Sequence, residues 1–126
     1  MKLISGLALA AILVGLSTPA SAEGDATKGK KIFMQCQACH MVGDKAQNRT
    51  GPVLNGVVGR KMASVDGYKY SPALKAKGDA GDIWDEAALT AYLENPRKYI
   101  PGNRMAFAGL KKPQDIADII AYLETN

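Results

Sequence analysis

Apolar residues recur with a helical period in three stretches of the chain. The first is predicted to run from Asp25, a favourable N-cap residue, to about Cys39. The second is predicted over residues 85–95, where a proline follows, and the third over residues 113–124, which begin with a proline suited to a first turn. The positions that define the three faces are Gly29, Phe33 and Cys36, then Leu89, Tyr92 and Leu93, then Ile116, Ile119, Ile120 and Leu123.

The sequence between these helices is rich in glycine and proline, as in residues 50–52, 66–67, 77–81 and 101–102. Such residues mark turns and loops. No alternating apolar and polar run of useful length predicts a strand. Short helices separated by long loops have little core of their own, which indicates that another group fills the centre of the molecule.

The beginning of the chain has the pattern of a secretory signal peptide. A basic residue, Lys2, precedes an apolar run over residues 3–16, and a small-residue cleavage sequence, Ala-Ser-Ala, follows. The apolar run is shorter than the roughly 20 residues that a membrane-spanning helix requires. We therefore expect residues 1–22 to be removed after Ala22, leaving one soluble domain, residues 23–126, in the periplasm without a membrane anchor.

The composition restricts the chemistry that the chain can perform. Its 126 residues carry 16 Lys and Arg against 12 Asp and Glu, and 47% of them are apolar. These values are typical of one globular domain. Two cysteines and one histidine are too few for a disulfide scaffold or for a structural zinc site with four nitrogen or sulfur ligands. A net charge of +4 without a basic helix stripe also disfavours nucleic-acid binding.

Every cysteine and histidine of the chain falls within one short motif, Cys36-Gln37-Ala38-Cys39-His40. This spacing is the attachment pattern of a c-type haem. Residues three apart share a helix face, so both sulfurs can bond to one porphyrin edge while the adjacent imidazole binds the iron. A redox dithiol is the alternative interpretation, but that motif expects a preceding strand in a βαβ unit, which the sequence lacks.

A haem iron bound by one histidine has a second axial position, for which four methionines are candidates. Met34 and Met41 flank the attachment motif too closely to reach the opposite haem face. Met62 lies beside two basic residues and is a candidate, although a single methionine can equally be core filler. Met105 follows a Pro-Gly turn, far enough along for the chain to pass around the ring, and the loop context favours it. His/Met ligation favours electron transfer over oxygen chemistry.

Several longer motifs accompany the attachment sequence. Residues 92–107 read YLENPRKYIPGNRMAF, and four shorter motifs are TGP at 50–52, GRK at 59–61, GYKYS at 67–71 and IADIIAYL at 116–123. In this order they resemble class I cytochrome c, most closely the mitochondrial and bacterial cytochrome c2 group. The resemblance implies an all-α, single-domain fold with three main helices, short helices and long loops wrapped around one covalently bound haem c.

The resemblance also implies the roles of individual residues. His40 and Met105 would be the axial ligands, and Cys36 and Cys39 would form the thioether bonds. The Pro52 carbonyl would accept a hydrogen bond from His40 and so fix the ring orientation.

Further side chains are implied around the haem. Arg60, Tyr70 and Trp84 would hold its propionates, because buried charges need partners, and Tyr92 would lie near the sulfur of the methionine ligand. Asn103 stands where the mitochondrial proteins usually carry threonine, so hydrogen bonding near that ligand is expected to differ.

Two expectations concern packing. Gly29 and Phe33 of the first helix would pack against Ile119 and Tyr122 of the last. Leu74 stands where an internal asparagine is common in the family, so the buried polar network beside the haem would be thinner.

The implied function is that of a monomeric one-electron carrier rather than an enzyme. It would connect a membrane or periplasmic donor, such as a bc1 complex or a dehydrogenase, with a photosynthetic reaction centre or a terminal oxidase. Two other classes stay open: a haem enzyme or gas-binding protein with an open sixth site, and a thiol–disulfide oxidoreductase without haem. A basic docking face for acidic patches on redox partners would comprise Lys30, Lys31, Lys45, Arg97, Lys98, Arg104, Lys111 and Lys112.

Overall fold

The structure is a computed structural model that describes Gly15 and residues 23–126. Five helices follow one another in this part of the chain: α1 (Ala26–Phe33), α2 (Pro72–Asp79), α3 (Glu86–Glu94), α4 (Pro96–Tyr99) and α5 (Pro113–Glu124). Strands are absent from the described residues, where an isolated antiparallel bridge joins Lys61 and Ile83. The all-α class is therefore confirmed. The signal sequence expected over residues 1–22 lies outside the described residues except for Gly15.

Side chains cap the first turn of α1, as the sequence predicts, and also the first turn of α3. The Asp25 carboxylate accepts the backbone N–H groups of Thr27 and Lys28. The Asp85 carboxylate accepts the N–H of Ala88. These bonds satisfy amides that have no partner inside the helix. α5 has no side-chain cap and begins with a proline, which has no N–H to satisfy.

α1 ends earlier than the sequence pattern predicts. The α-helix stops at Phe33, and residues 34–39 continue as tight turns. The Cys36 N–H donates to the Phe33 carbonyl at 2.8 Å, and the Cys39 N–H donates to the Cys36 carbonyl at 3.1 Å. Such three-residue spacing winds the chain more tightly than an α-helix. Residues 37 and 38 are exposed, so no apolar face holds a regular helical turn at this point.

α2 occupies a segment whose glycine predicted a loop. Ser71 caps it by accepting the Leu74 N–H, and Pro72 is its first residue. Gly78 is buried inside this helix, and a Cβ at that position would collide with the Met62 carbonyl oxygen. This glycine therefore permits close packing of α2 rather than a turn, which periodicity alone does not reveal.

The crossing of α1 and α5 is the main contact among the described helices. Gly29 lies against the Asp118 backbone, where a Cβ would meet the carbonyl oxygen. The rings of Phe33 and Tyr122 pack with their centroids 5.3 Å apart, and Ile119 is 1% exposed. The expected packing of the first and last helices is confirmed, because a glycine lets the two backbones approach closely.

The apolar core continues from this crossing toward α3 and the loops. Besides the residues of the crossing, its buried members are Val57, Met62, Trp84, Ala88, Leu89, Tyr92, Ile100, Leu110, Ile116, Ile120 and Leu123. Among the described helices, none combines the length and the hydropathy that crossing a membrane would require.

Candidate functional site

The attachment motif follows directly on α1. The His40 N–H donates to the Cys36 carbonyl at 2.8 Å, which places the histidine on the same turn as the first cysteine. Both thiols are free and half-buried. Burial, together with the neighbouring Cys39, raises the pKa of Cys36 to about 11. A redox-active dithiol requires a lowered thiol pKa, so this environment argues against the oxidoreductase interpretation.

The imidazole of His40 is held by the loop that follows it. Its Nδ1 lies 2.7 Å from the Pro52 carbonyl oxygen, and because a carbonyl can only accept, Nδ1 carries the proton and Nε2 keeps a free lone pair. A Cβ at Gly51 would collide with the ring, so this glycine lets the backbone lie against it. Burial lowers the pKa of His40, the Pro52 bond opposes this shift, and Arg60 adds to it. The ring is therefore neutral and oriented, with Nε2 free to bind a metal.

Two side chains that were not predicted from the sequence as site residues hold the same loop. The Tyr68 hydroxyl donates to the Thr50 carbonyl at 2.7 Å. The Asn48 side chain accepts the Val53 N–H at 3.0 Å and donates to the Asp66 carbonyl at 3.1 Å. Tyr68 lies within the GYKYS motif, so the family resemblance could have indicated its role. Nothing in the sequence marked Asn48.

Met105 lies half-buried on the long segment between α4 and α5. The Tyr92 hydroxyl is 3.8 Å from its Sδ, within the range of a hydrogen bond to sulfur. Burial raises the pKa of Tyr92 to about 12, so the hydroxyl remains a donor at neutral pH. Met62, the other candidate for the second axial ligand, is 1% exposed within the apolar core. Of these two methionines, Met105 is therefore the one whose thioether is oriented by a neighbouring polar group.

Asn103 precedes Met105 by two residues and is bonded to its surroundings through both ends of its amide. Its Nδ2 donates to the carbonyls of Pro96 and Ile100, both at 2.9 Å. Its Oδ1 accepts the Met105 N–H at 2.9 Å. The side chain therefore joins the methionine segment to α4.

Arg60 has a buried nitrogen without a partner. Its Nη1 donates to the carbonyls of Val53 and Asn55, at 3.1 and 2.9 Å. Its Nε is buried and unpaired among the described residues. Burial lowers the pKa of Arg60, which nevertheless stays charged at neutral pH. An unpaired guanidinium N–H in the interior suits a carboxylate acceptor.

Two aromatic residues extend this region. The Tyr70 hydroxyl accepts the Val65 N–H at 3.0 Å, and burial raises the pKa of Tyr70. The backbone N–H of Trp84 donates to the Arg60 carbonyl at 2.8 Å, and the centroid of its buried indole lies 4.9 Å from that of the Tyr92 ring. Side-chain contacts thus join Trp84 to Tyr92 and Tyr92 to Met105, while a backbone hydrogen bond joins Trp84 to Arg60.

The eight basic residues of the expected docking face are all exposed. None takes part in the salt bridges found within residues 23–126, which join Lys75 to Asp79 and Lys77 to Asp82. Lys98 and Lys111 line one surface groove of about 420 Å³ beside α3 and α4. These two cations therefore share one face of the molecule.

The donor set fits a covalently attached haem. Two thiols at the required spacing, a neutral imidazole with a free Nε2 and a thioether supply the bonds that a c-type haem uses. The unpaired Nε of Arg60 is a donor suited to a propionate. A helical fold with these groups defines a haem protein of the electron-transfer class.

The chain belongs to the cytochrome c family, because the family model described as cytochrome c matches residues 26–126. It is 50% identical to a cytochrome c2 from Rhodomicrobium vannielii over 125 residues, which cover 99% of this chain and 97% of that relative. It is 49% identical to cytochrome c-550 from Ancylobacter novellus over 98 residues, 78% of this chain and 92% of the relative.

A solved structure supports the same assignment. Cytochrome cH from Methylobacterium extorquens superimposes with a TM-score of 0.74 at 45% identity, covering 82% of this chain and 100% of that one. The expected class I fold and membership of the cytochrome c2 group are confirmed. The protein is accordingly an electron carrier that works with redox protein partners and carries one covalent haem c.

Proposed function

We propose that the protein carries single electrons on a low-spin haem iron with His40 and Met105 as axial ligands. The observation that carries this proposal is a pair of oriented donors. The imidazole is fixed by the Pro52 carbonyl at 2.7 Å, and the thioether is contacted by the Tyr92 hydroxyl at 3.8 Å. Such second partners set the orientation of a ligand and tune its strength.

The remaining site residues hold the group. Cys36 and Cys39 would form its thioether bonds, and Arg60, Tyr70 and Trp84 would bind its propionates. When bound, the haem supplies a one-electron redox couple. Ligation by Met105 would close the iron to small ligands, which suits a carrier rather than an enzyme.

Docking would use the exposed basic residues around the haem edge. Eight cations without intramolecular acidic partners among the described residues suit an acidic patch on another protein. Electrostatic contacts of this kind are fast and sensitive to salt, and they suit a monomeric carrier that must release its partner after each transfer.

The site of action would be the periplasm. The sequence of residues 1–22 supports export with cleavage after Ala22. The packing supports a folded domain that already includes Gly24, because this residue lies so close to α5 that a Cβ would meet the Ala117 carbonyl oxygen. The donor would be a bc1 complex or a periplasmic dehydrogenase, and the acceptor a photosynthetic reaction centre or a terminal oxidase.

The test is the optical spectrum of the ferric holoprotein. We expect the weak red-edge band of methionine bound to iron in the wild type and its loss in Met105→Ala. Met34→Ala is the matched control, because Met34 is 67% exposed and should leave the band unchanged. A wild-type protein that lacks the band and binds carbon monoxide readily when reduced would instead be a haem enzyme or sensor with an open sixth site.

A further inference from the structure

The segment that presents Met105 has few bonds to the rest of the molecule. From Ile100 to Leu110, the backbone of the described structure makes four hydrogen bonds outside helices. They join Ile100 N to Pro96 O at 3.0 Å, Asn103 N to Ile100 O at 3.1 Å, Phe107 N to Met105 O at 2.9 Å and Leu110 N to Leu93 O at 2.8 Å. Two of the four lie within the segment itself, and the other two hold only its first and last residues. Its attachment to the helices therefore depends strongly on side chains.

Asn103 supplies that attachment. Its two Nδ2 protons go to Pro96 and Ile100, at the beginning and just beyond the end of α4, and its Oδ1 receives the Met105 N–H. The orientation of the amide is unambiguous, because two carbonyls need a donor and one N–H needs an acceptor. One short side chain thus connects the backbone of the methionine to a helix.

Only an asparagine side chain meets these requirements at this reach. A threonine hydroxyl offers a single proton and can satisfy one of the two carbonyls. An aspartate keeps the acceptor, but it loses both donors and turns a negative charge toward two carbonyl oxygens. The residue is half-buried, so water does not fully replace the lost bonds.

We infer that Asn103 is a positioning residue that controls how readily Met105 leaves the iron, and thereby how easily small external ligands enter the sixth position. This inference rests on the proposed His/Met ligation. The amide holds the methionine backbone on α4, while the Tyr92 hydroxyl contacts the sulfur. Opening of the site requires the amide bonds to break before the thioether can move away.

The experiment compares Asn103→Asp, Asn103→Thr and wild type as ferric holoproteins, with imidazole as the external ligand. We expect imidazole to bind about tenfold faster to the aspartate variant, the change that about 1.4 kcal/mol produces, with an intermediate rate for threonine. Hydrogen exchange of the Met105 amide should accelerate in the same order. Asn55→Asp is the matched control, because it loses the same kind of donor, from Nδ2 to the Gly43 carbonyl at 2.8 Å, in another loop.

The outcomes separate the two proposals. If the Asn103 variants bind imidazole at the wild-type rate and hydrogen exchange of the Met105 amide is unchanged, the proposed role of Asn103 is wrong while His/Met ligation stands. If Asn55→Asp accelerates binding as much as Asn103→Asp, the effect is general loosening and the proposed role of Asn103 is also wrong. If the wild type lacks the methionine-to-iron band, the proposed ligation is wrong, and the role of Asn103 that rests on it is wrong as well.

Discussion

The Asp118 carboxylate of α5 accepts the backbone N–H of Asp25 at 2.8 Å, across 93 positions of the sequence. Asp118 is only 2% exposed, and the Gln114 amide donates to the same carboxylate oxygen at 2.9 Å. Asp25 is itself the cap of α1. The last helix therefore fixes the beginning of the first one through a directional bond, close to the point where Gly29 lets the two backbones touch.

This bond predicts an acid-sensitive contribution to stability. The Asp25 N–H, and secondarily the Gln114 amide and Lys28, lower the pKa of Asp118 below its usual value, against the opposing effect of burial. A carboxylate with a depressed folded-state pKa stabilises the fold above its unfolded pKa of about 3.9, and this contribution is lost as the pH falls through the folded value. We expect the free energy of unfolding to decrease from about pH 4 downward.

Denaturant titrations between pH 2 and pH 7 measure this effect. In Asp118→Asn the decrease below pH 4 should be smaller and the melting temperature at pH 7 lower. Asp115→Asn, on the same helix, is the control and should retain the wild-type pH dependence. Identical pH profiles for the wild type and Asp118→Asn would show that this carboxylate does not link the helices.

A second prediction concerns the helix crossing itself. In Gly29→Ala the new Cβ would meet the Asp118 carbonyl oxygen, which is backbone and cannot rotate away. We expect a loss of about 1–3 kcal/mol in the free energy of unfolding, typical of overpacking. Lys30→Ala, at the next, exposed position of the same helix, should change it by less than about 0.5 kcal/mol. Equal stabilities of the two variants, measured by guanidinium titration, would contradict the close approach.

The elements that the sequence predicted well are those with local signals. The beginning of α1 follows from Asp25 as its cap, the end of α3 follows from the proline after it, and the bounds of α5 follow from its first proline and its periodicity. α2 was missed because Gly78 is read locally as a breaker. A glycine is needed at this position because the helix lies against the Met62 backbone, a contact that no local pattern contains.

The site residues also divide into those with a local signal in the sequence and those without one. The attachment motif is contiguous, so its chemistry could be derived from Cys36, Cys39 and His40 alone. The positions of Pro52 and Tyr92 came from a resemblance to a family. The unpaired Nε of Arg60 and the link from Asn48 across two loops depend on tertiary contacts that a single sequence does not display.

Arg60 should affect stability and redox potential in separable ways. Its Nη1 holds two loop carbonyls, and its charge lies in the half-buried interior. Arg60→Lys keeps the charge but loses the planar guanidinium that donates to both loop carbonyls. We therefore expect the free energy of unfolding to fall by about 1–3 kcal/mol with a nearly unchanged reduction potential. Arg60→Gln also removes the charge and should lower the potential, because a nearby cation favours the reduced state.

Voltammetry and denaturant titration of both variants test this separation. A lost interaction of about 1.4 kcal/mol corresponds to a fall of about 59 mV for a one-electron couple. A potential that falls equally in Arg60→Lys and Arg60→Gln would mean that geometry rather than charge controls it. Asn55→Ala is the control for loop loosening, since it leaves the guanidinium and the backbone acceptors of Arg60 in place.

The last prediction concerns the docking face. Lys98 and Lys111 line one groove and have no salt-bridge partner within residues 23–126, so their charges are available to another protein. With an acidic redox partner at low ionic strength, Lys98→Gln and Lys111→Gln should each slow the second-order rate of electron transfer and reduce its dependence on salt.

Lys75→Gln removes one charge of the same sign from α2, where Asp79 lies 3.4 Å away, and should have little effect. Stopped-flow rates over a series of salt concentrations distinguish the cases. If all three variants slow the reaction equally, net charge rather than a defined face governs association, and the groove between Lys98 and Lys111 has no special part in docking.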